Sequence, residues 1–181
     1  MPKERILMIA VLAALCSAST VSAQDKNDLK VPGGLAFNEF KGYEGWEFIS
    51  LSQSGDIFAA ILGNKEMIDA YKAGIPGNGK PFPDGAKMAK IHWTAKKSAT
   101  APSPTNVPGA LHDVDFMVKD AKRFPEGGWG YAAFKYDGKT GKFTPQTKDD
   151  APPQLNDAKC GLGCHTIVKK NDYVFTEYGK R

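Results

Sequence analysis

The sequence predicts a β-rich α+β domain, mainly an antiparallel sheet with a few short helices. Three observations lead there. Apolar residues come in short alternating or clustered runs bounded by turn residues. One segment shows helical spacing of its apolar positions, and proline- and glycine-rich stretches break up much of the remainder. Residues 24–44, with Gly33-Gly34 and mixed polarity, read as a lead-in. Residues 46–51 and 57–62 read as strands joined through Ser54-Gly55-Asp56, which is turn chemistry. Asn64 is placed to cap a short helix reaching Tyr71-Lys72, with Met67, Ile68 and Tyr71 on one face and Gly74 ending it. Residues 76–85 hold three prolines and three glycines, too many for a regular element.

A strand over 86–94 puts Met88, Lys90 and His92 on one face and Ala89, Ile91 and Trp93 on the other. Residues 98–109 form a second proline-rich loop. Val114, Phe116 and Val118 then alternate with Asp113, Asp115 and Met117, a half-buried strand whose aspartates belong to a solvated face. An aromatic strand over 129–136 follows Gly127-Gly128 and ends in the Asp137-Gly138 turn. Residues 142–159 are polar and broken by prolines, and 173–176 read as a last strand. No repeat is present, and strand order is not encoded in these patterns.

Hydrophobic residues at 41% and charged residues at 24% describe a folded chain rather than a disordered one. The formal charge of +4 comes from lysines dispersed among acids, which leaves no nucleic-acid footprint. Residues 1–23 read as a cleaved export signal: basic Lys3 and Arg5, an apolar run over 6–15, then Val21-Ser22-Ala23 before Gln24. That run is shorter than the roughly 20 residues of a spanning helix, and bulky Leu15 before Cys16 argues against lipoprotein processing. The expected organisation is a signal over 1–23, a lead-in over 24–44 and one functional domain over 45–181. The expected compartment is the oxidising periplasm, with no membrane span left after cleavage.

Once the signal is removed, Cys160 and Cys164 are the cysteines that remain, and His165 follows directly. Two thiols and an adjacent histidine are the chemistry of c-type haem attachment: thioethers to the ring, imidazole to the iron. The spacing is three residues where two is usual, so Gly161 and Gly163 are expected to absorb the extra residue by backbone bulging. Two other readings stay open. An exported pair of cysteines readily forms a disulfide, though that gives His165 no reason to be there. A zinc site completed by His92 or His112 is the other, though structural zinc usually takes more cysteines.

The chain also resembles the cytochrome P-460 family, which includes the cytochromes c′-beta, from about residue 45 to 179. The resemblance rests on Phe82-Pro83-Asp84-Gly85 followed by Lys90, on Asp115-Phe116-Met117-Val118-Lys119-Asp120 with Arg123-Phe124, and on Gly128-Trp129-Gly130-Tyr131. The Cys160 to His165 segment and Asp172-Tyr173-Val174-Phe175-Thr176 complete it. It implies one covalently attached haem c per chain near the C-terminus, often in a homodimer. It further implies His165 as proximal iron ligand, an open opposite axial position and, in hydroxylamine-oxidising members, a lysine bonded to the porphyrin edge. That lysine matches Lys90. Members of the family either turn hydroxylamine into nitrogen oxides or bind small gases in a capped apolar pocket. The implied partners are a small nitrogen compound or gas and a soluble electron-transfer protein.

Read without the resemblance, Lys90 lies among Lys80, Lys87, Lys96 and Lys97, and lysines in such company usually face solvent. Met88 and His92 on the same face argue the other way. Desolvation against an apolar ring favours the neutral amine, which is a nucleophile. His112, Met88 and Met117 are candidate sixth ligands, which would make a simple electron carrier. Phe116, Trp93 and Trp129 are candidate haem walls, each equally suited to ordinary packing. The distal carboxylate used by hydroxylamine-oxidising members has no clean match here; Asp149, Asp150 and Asp157 are near in sequence.

Overall fold

The computed structural model describes residues 25–31, 35–146 and 158–180, with side chains from 161 onward in the last stretch. The predicted β-rich α+β class holds. Six antiparallel strands follow one another across a single sheet in chain order: β1 (Glu47–Ser54), β2 (Ile57–Gly63), β3 (Lys87–Lys97), β4 (Asn106–Lys119), β5 (Trp129–Asp137) and β6 (Lys142–Pro145). Among the described residues there are also two α-helices, α1 (Lys65–Lys72) and α2 (Ala158–His165), and several 3-10 turns. Neighbours in sequence are neighbours in the sheet: tight turns join β1 to β2 and β5 to β6, while longer connections, with α1 between β2 and β3, return the chain antiparallel to the adjoining edge.

The period-two patterns divide the sheet into two faces. On one, Ala89, Val114, Phe116, Val118, Ala132 and Phe134 are buried under Leu29, Val31, Leu35, Phe37, Phe40 and Tyr43 of the lead-in. Phe40 stacks on Phe116 at 4.2 Å, and Phe37 meets Phe134 edge-on at 4.9 Å. On the other, Ile49, Ile61, Met88, Met117, Trp129 and Tyr131 lie under α1 and the C-terminal segment. The helix α1 begins as its sequence predicts: the Asn64 Oδ1 accepts from the Met67 N–H at 3.2 Å and from the Lys87 N–H at 2.8 Å. One side chain thus caps α1 and ties it to the start of β3. Gly74, at φ +87, ends the helix.

The structure departs from expectation at three segments. The predicted loop over 98–109 is shorter, because β4 extends back to Asn106 and pairs with the far end of β3. Within the polar stretch after Asp137, residues Lys142–Pro145 form β6 on the edge of the sheet; pairing with β5 overrides their weak intrinsic preference. Residues 173–176 make no strand. Tyr173 belongs to a turn, and the tail that follows crosses the second face, held by the Tyr71 hydroxyl, which donates to the Thr176 carbonyl at 2.7 Å.

Candidate haem site

The helix α2 runs unbroken through the cysteine-histidine segment, so Cys160 and Cys164 occupy backbone positions one helical turn apart. The expected bulge is absent. Neither Gly161 nor Gly163 adopts a positive φ, because a four-residue step already keeps two positions on one side of a helix. Gly161 is needed for a different reason. A Cβ there would overlap the Tyr131 Cβ and Cγ and approach Cδ2 to 2.9 Å, so the missing side chain lets α2 lie directly on β5. At Gly163 there is open space.

His165 closes the helix with its ring between Tyr131, at 4.7 Å, and Phe175, at 4.9 Å. Its Nδ1 lies 2.6 Å from the Tyr173 carbonyl oxygen. A carbonyl only accepts, so Nδ1 carries the proton and Nε2 keeps its lone pair. Burial lowers the pKa of the ring, and Lys90 adds to that, outweighing the opposing hydrogen bond to Tyr173. A neutral imidazole with its second nitrogen anchored to a carbonyl is the form in which histidine ligates metals.

A cavity of about 480 Å3 opens in front of this arrangement, a size typical of cofactor sites, which run to about 300–1,000 Å3. Gly161, Cys164 and His165 line one side; Ile61, Met88, Lys90, Asp115 and Met117 of the sheet line another; Leu51, Val174 and Phe175 contribute at β1 and the tail. Lys90 and Asp115 sit directly opposite each other in the β3–β4 register. Two polar atoms of the lining, Asp115 Oδ1 and the Tyr131 hydroxyl, are sealed from solvent without a hydrogen-bond partner. Buried polar atoms are rarely left unpaired, so their position on the wall fits a site shaped for a bound molecule. Cavity, anchored histidine, neighbouring thiol and apolar walls together match the needs of a haem.

The aspartates correct the sequence reading. Asp113 and Asp115 are on the polar face of β4 as expected, but Asp113 is buried and Asp115 is half-buried on the cavity wall rather than on an open surface. Asp113 is buried and accepts from His92 and His112, the latter at 2.7 Å. Burial pushes its carboxyl up, and the two histidines more than offset this, so its pKa ends below the ordinary value. A bulge at His112, which has no partner between the His92–Asp113 and Trp93–Leu111 pairs, lets adjacent residues reach the same group. Asp115 is pushed up to about 6, chiefly by burial.

The remaining sequence candidates sort by position. Lys90, Cys164 and His165 share the cavity, joined by Met88 and Met117; Phe116 also borders it, but its ring packs on the opposite face against Phe37 and Phe40. His92 and His112 are engaged by Asp113 and do not line it. Trp93 and Trp129 do not line it either; Trp129 is a core residue whose indole N–H donates to the Asp172 carbonyl at 2.8 Å. The Cys160 side chain, the signal and Asp149, Asp150 and Asp157 lie outside the described residues. Sequence reasoning missed Tyr131, Asp115 and the Tyr173 carbonyl as parts of the site. The glycine at 161 was the available signal for Tyr131; a backbone acceptor leaves none.

No helix among the described residues is long and apolar enough to cross a membrane. No curated protein matches the chain. A sequence model of the family described as cytochrome P460 matches residues 40–176, which takes in the six strands, α1, α2 and all of the cavity wall but Glu177. This family implies a c-type haem, the group that the cavity and its histidine suit. By that match over most of its length, the chain belongs to the cytochrome P460 family.

Proposed function

We propose that the protein is an exported mono-haem c-type cytochrome that performs redox chemistry on a small nitrogen compound, hydroxylamine or nitric oxide. The observation behind this reading is His165: its Nδ1 is committed to Tyr173, which leaves Nε2 as the donor beside a cavity shared with Cys164, Lys90 and Asp115. Cys160 and Cys164 hold one haem covalently, His165 ligates its iron, and Lys90 is the candidate cross-link to the ring edge. When bound, haem would supply one-electron redox capacity and an iron able to take a small ligand.

The protein's own residues do the rest. Tyr173 fixes the tautomer and orientation of His165. Ile61, Met88 and Met117 keep the cavity apolar and limit water. Asp115, with its pKa raised to about 6 by burial, is suited to accept and release protons near neutral pH. It takes the place of the carboxylate that the sequence could not assign. A soluble electron-transfer partner takes the electrons.

A second reading, a gas-binding haem protein without turnover, is favoured by the same apolar walls. The absorption spectrum of the reduced protein, matured with a haem-ligation apparatus, separates these. A red-shifted, broadened Soret band that Lys90→Arg abolishes, with steady hydroxylamine consumption in the presence of an electron acceptor, supports the enzyme. A normal high-spin spectrum with reversible nitric oxide binding and no consumption supports the gas binder. Sharp low-spin bands would point to Met88 or Met117 as a sixth ligand and to simple electron transfer. A colourless product with Cys160 and Cys164 joined to each other overturns the proposal.

A further inference from the structure

Two successive residues, Asp172 (φ 51°, ψ 44°) and Tyr173 (φ 64°), adopt left-handed backbone conformations without being glycine. Such residues persist where their surroundings over-determine them, and they concentrate at functional sites. Here the surroundings are identifiable. Asp172 Oδ1 accepts from the Lys119 ammonium at 2.7 Å, and Oδ2 accepts from the Phe82 N–H at 2.8 Å. The Asp172 carbonyl accepts from the Trp129 indole at 2.8 Å. The Lys119 ammonium also donates to the Gly127 carbonyl at 3.3 Å and lies 5.2 Å from the centre of the Trp129 ring. Gly128, at φ +77, leaves the room Lys119 occupies: a Cβ there would stand 3.0 Å from Cε and Nζ.

Both members of the ion pair are nearly enclosed, with side-chain exposures of 8% and 13%. Burying two charges is costly, and an apolar pair of similar size often serves stability as well or better. What this pair does that an apolar pair could not is grip both a backbone N–H and an ammonium from one carboxylate. The product of the turn is the direction of the next carbonyl. Tyr173 presents its oxygen to His165 Nδ1 at 2.6 Å.

We propose that Lys119 and Asp172 are positioning residues for His165: their buried ion pair holds the left-handed 172–173 turn and so delivers the Tyr173 carbonyl that sets the tautomer and donor strength of the imidazole. The effect on His165 itself stands on the described geometry; its effect on iron rests on the haem reading above. An anchored Nδ1–H makes the ring a more basic ligand, which favours the ferric state. Loss of the brace therefore weakens the donor and shifts the iron toward ferrous.

The test uses the full-length protein, with Asp172→Asn and Lys119→Met as disrupting variants and Lys119→Arg as the conservative one. Nitrogen-15 histidine labelling reads exchange of the His165 Nδ1–H, on the reduced carbon monoxide complex if the protein is coloured. Resonance Raman and a redox titration read the Fe–His stretch and the potential. In Asp172→Asn and Lys119→Met, exchange is expected to be at least tenfold faster. The Fe–His band should move to lower frequency, and the ferric/ferrous equilibrium should shift at least tenfold, about 59 mV upward. Lys119→Arg should stay near wild type on all three. Folded Asp172→Asn and Lys119→Met proteins with unchanged exchange and an unchanged Fe–His band would overturn the proposal, leaving the pair a purely structural contact. A colourless wild-type protein would count against the haem reading alone, since the exchange measurement still decides this one. If neither disrupting variant folds, Asp172→Glu keeps the charge but displaces the turn; faster exchange is then expected, and unchanged exchange overturns the proposal.

Discussion

Two alanine substitutions in one helix should have separable effects, and they test how α2 is seated. Gly161→Ala and Gly163→Ala each replace a helical glycine without positive φ, so each gains the same propensity term, about 0.5–1 kcal/mol. The steric terms differ. At 163 the added methyl meets nothing within 4 Å. At 161 it meets the root of the Tyr131 side chain, with Cδ2 at 2.9 Å and two atoms closer still. Those atoms cannot swing away, because Tyr131 is buried in β5 beneath the helix. Overpacking of this kind costs about 1–3 kcal/mol. Gly163→Ala should therefore be stabilising, and Gly161→Ala should fall below it by the overpacking term alone. For a chain of this size that is a separation of about 2–12 °C in Tm, at 2–4 °C per kcal/mol. Urea and thermal unfolding of both variants beside wild type measure it. Gly161→Ala should also lower the yield of haem-loaded protein, because relieving the overlap moves His165 away from Tyr131. Equal stability of the two variants would refute the direct seating of α2 on β5.

Three further outcomes follow from other contacts. The folded-state pKa of Asp115 is pushed up to about 6 from an ordinary 3.8, so its contribution is complete at low pH. That contribution is lost as pH rises through 6, costing about 2–3 kcal/mol; urea midpoints from pH 4 to 7 should show this slope in wild type and not in Asp115→Asn. Asn64→Ala removes the acceptor shared by the Met67 and Lys87 N–H groups and should cost about 1–2 kcal/mol, measured by chemical denaturation. Tyr71→Phe removes the bond to the Thr176 carbonyl and should cost about 1 kcal/mol; hydrogen exchange should rise selectively in the tail that lines the cavity.

Much of the scaffold was legible in local patterns. The alternation around Val114, Phe116 and Val118 placed those residues on one face, and the β3–β4 register sets Lys90 opposite Asp115 and Met88 opposite Met117. The Asn64 cap and the Gly74 stop were equally plain, since capping and termination are decided within a few residues. The cysteine-histidine segment pointed to haem chemistry before any geometry was known.

Other features depended on contacts between segments far apart in the chain. A period-two pattern separates two faces without saying what stands over each, so Asp115 read as solvated, although it lines a cavity that the tail and α2 also wall. Edge strand β6 exists because β5 offers it a partner. The glycines of α2 read as points of flexibility, yet one of them is a clearance for Tyr131, thirty residues earlier. The acceptor on His165 is a main-chain oxygen, aimed by a turn that Lys119 of β4, Trp129 of β5 and Phe82 of the loop before β3 hold together. Periodicity and caps are properties of short windows of residues and survive in the sequence; the covering of a face and the aim of a carbonyl are properties of the closed fold.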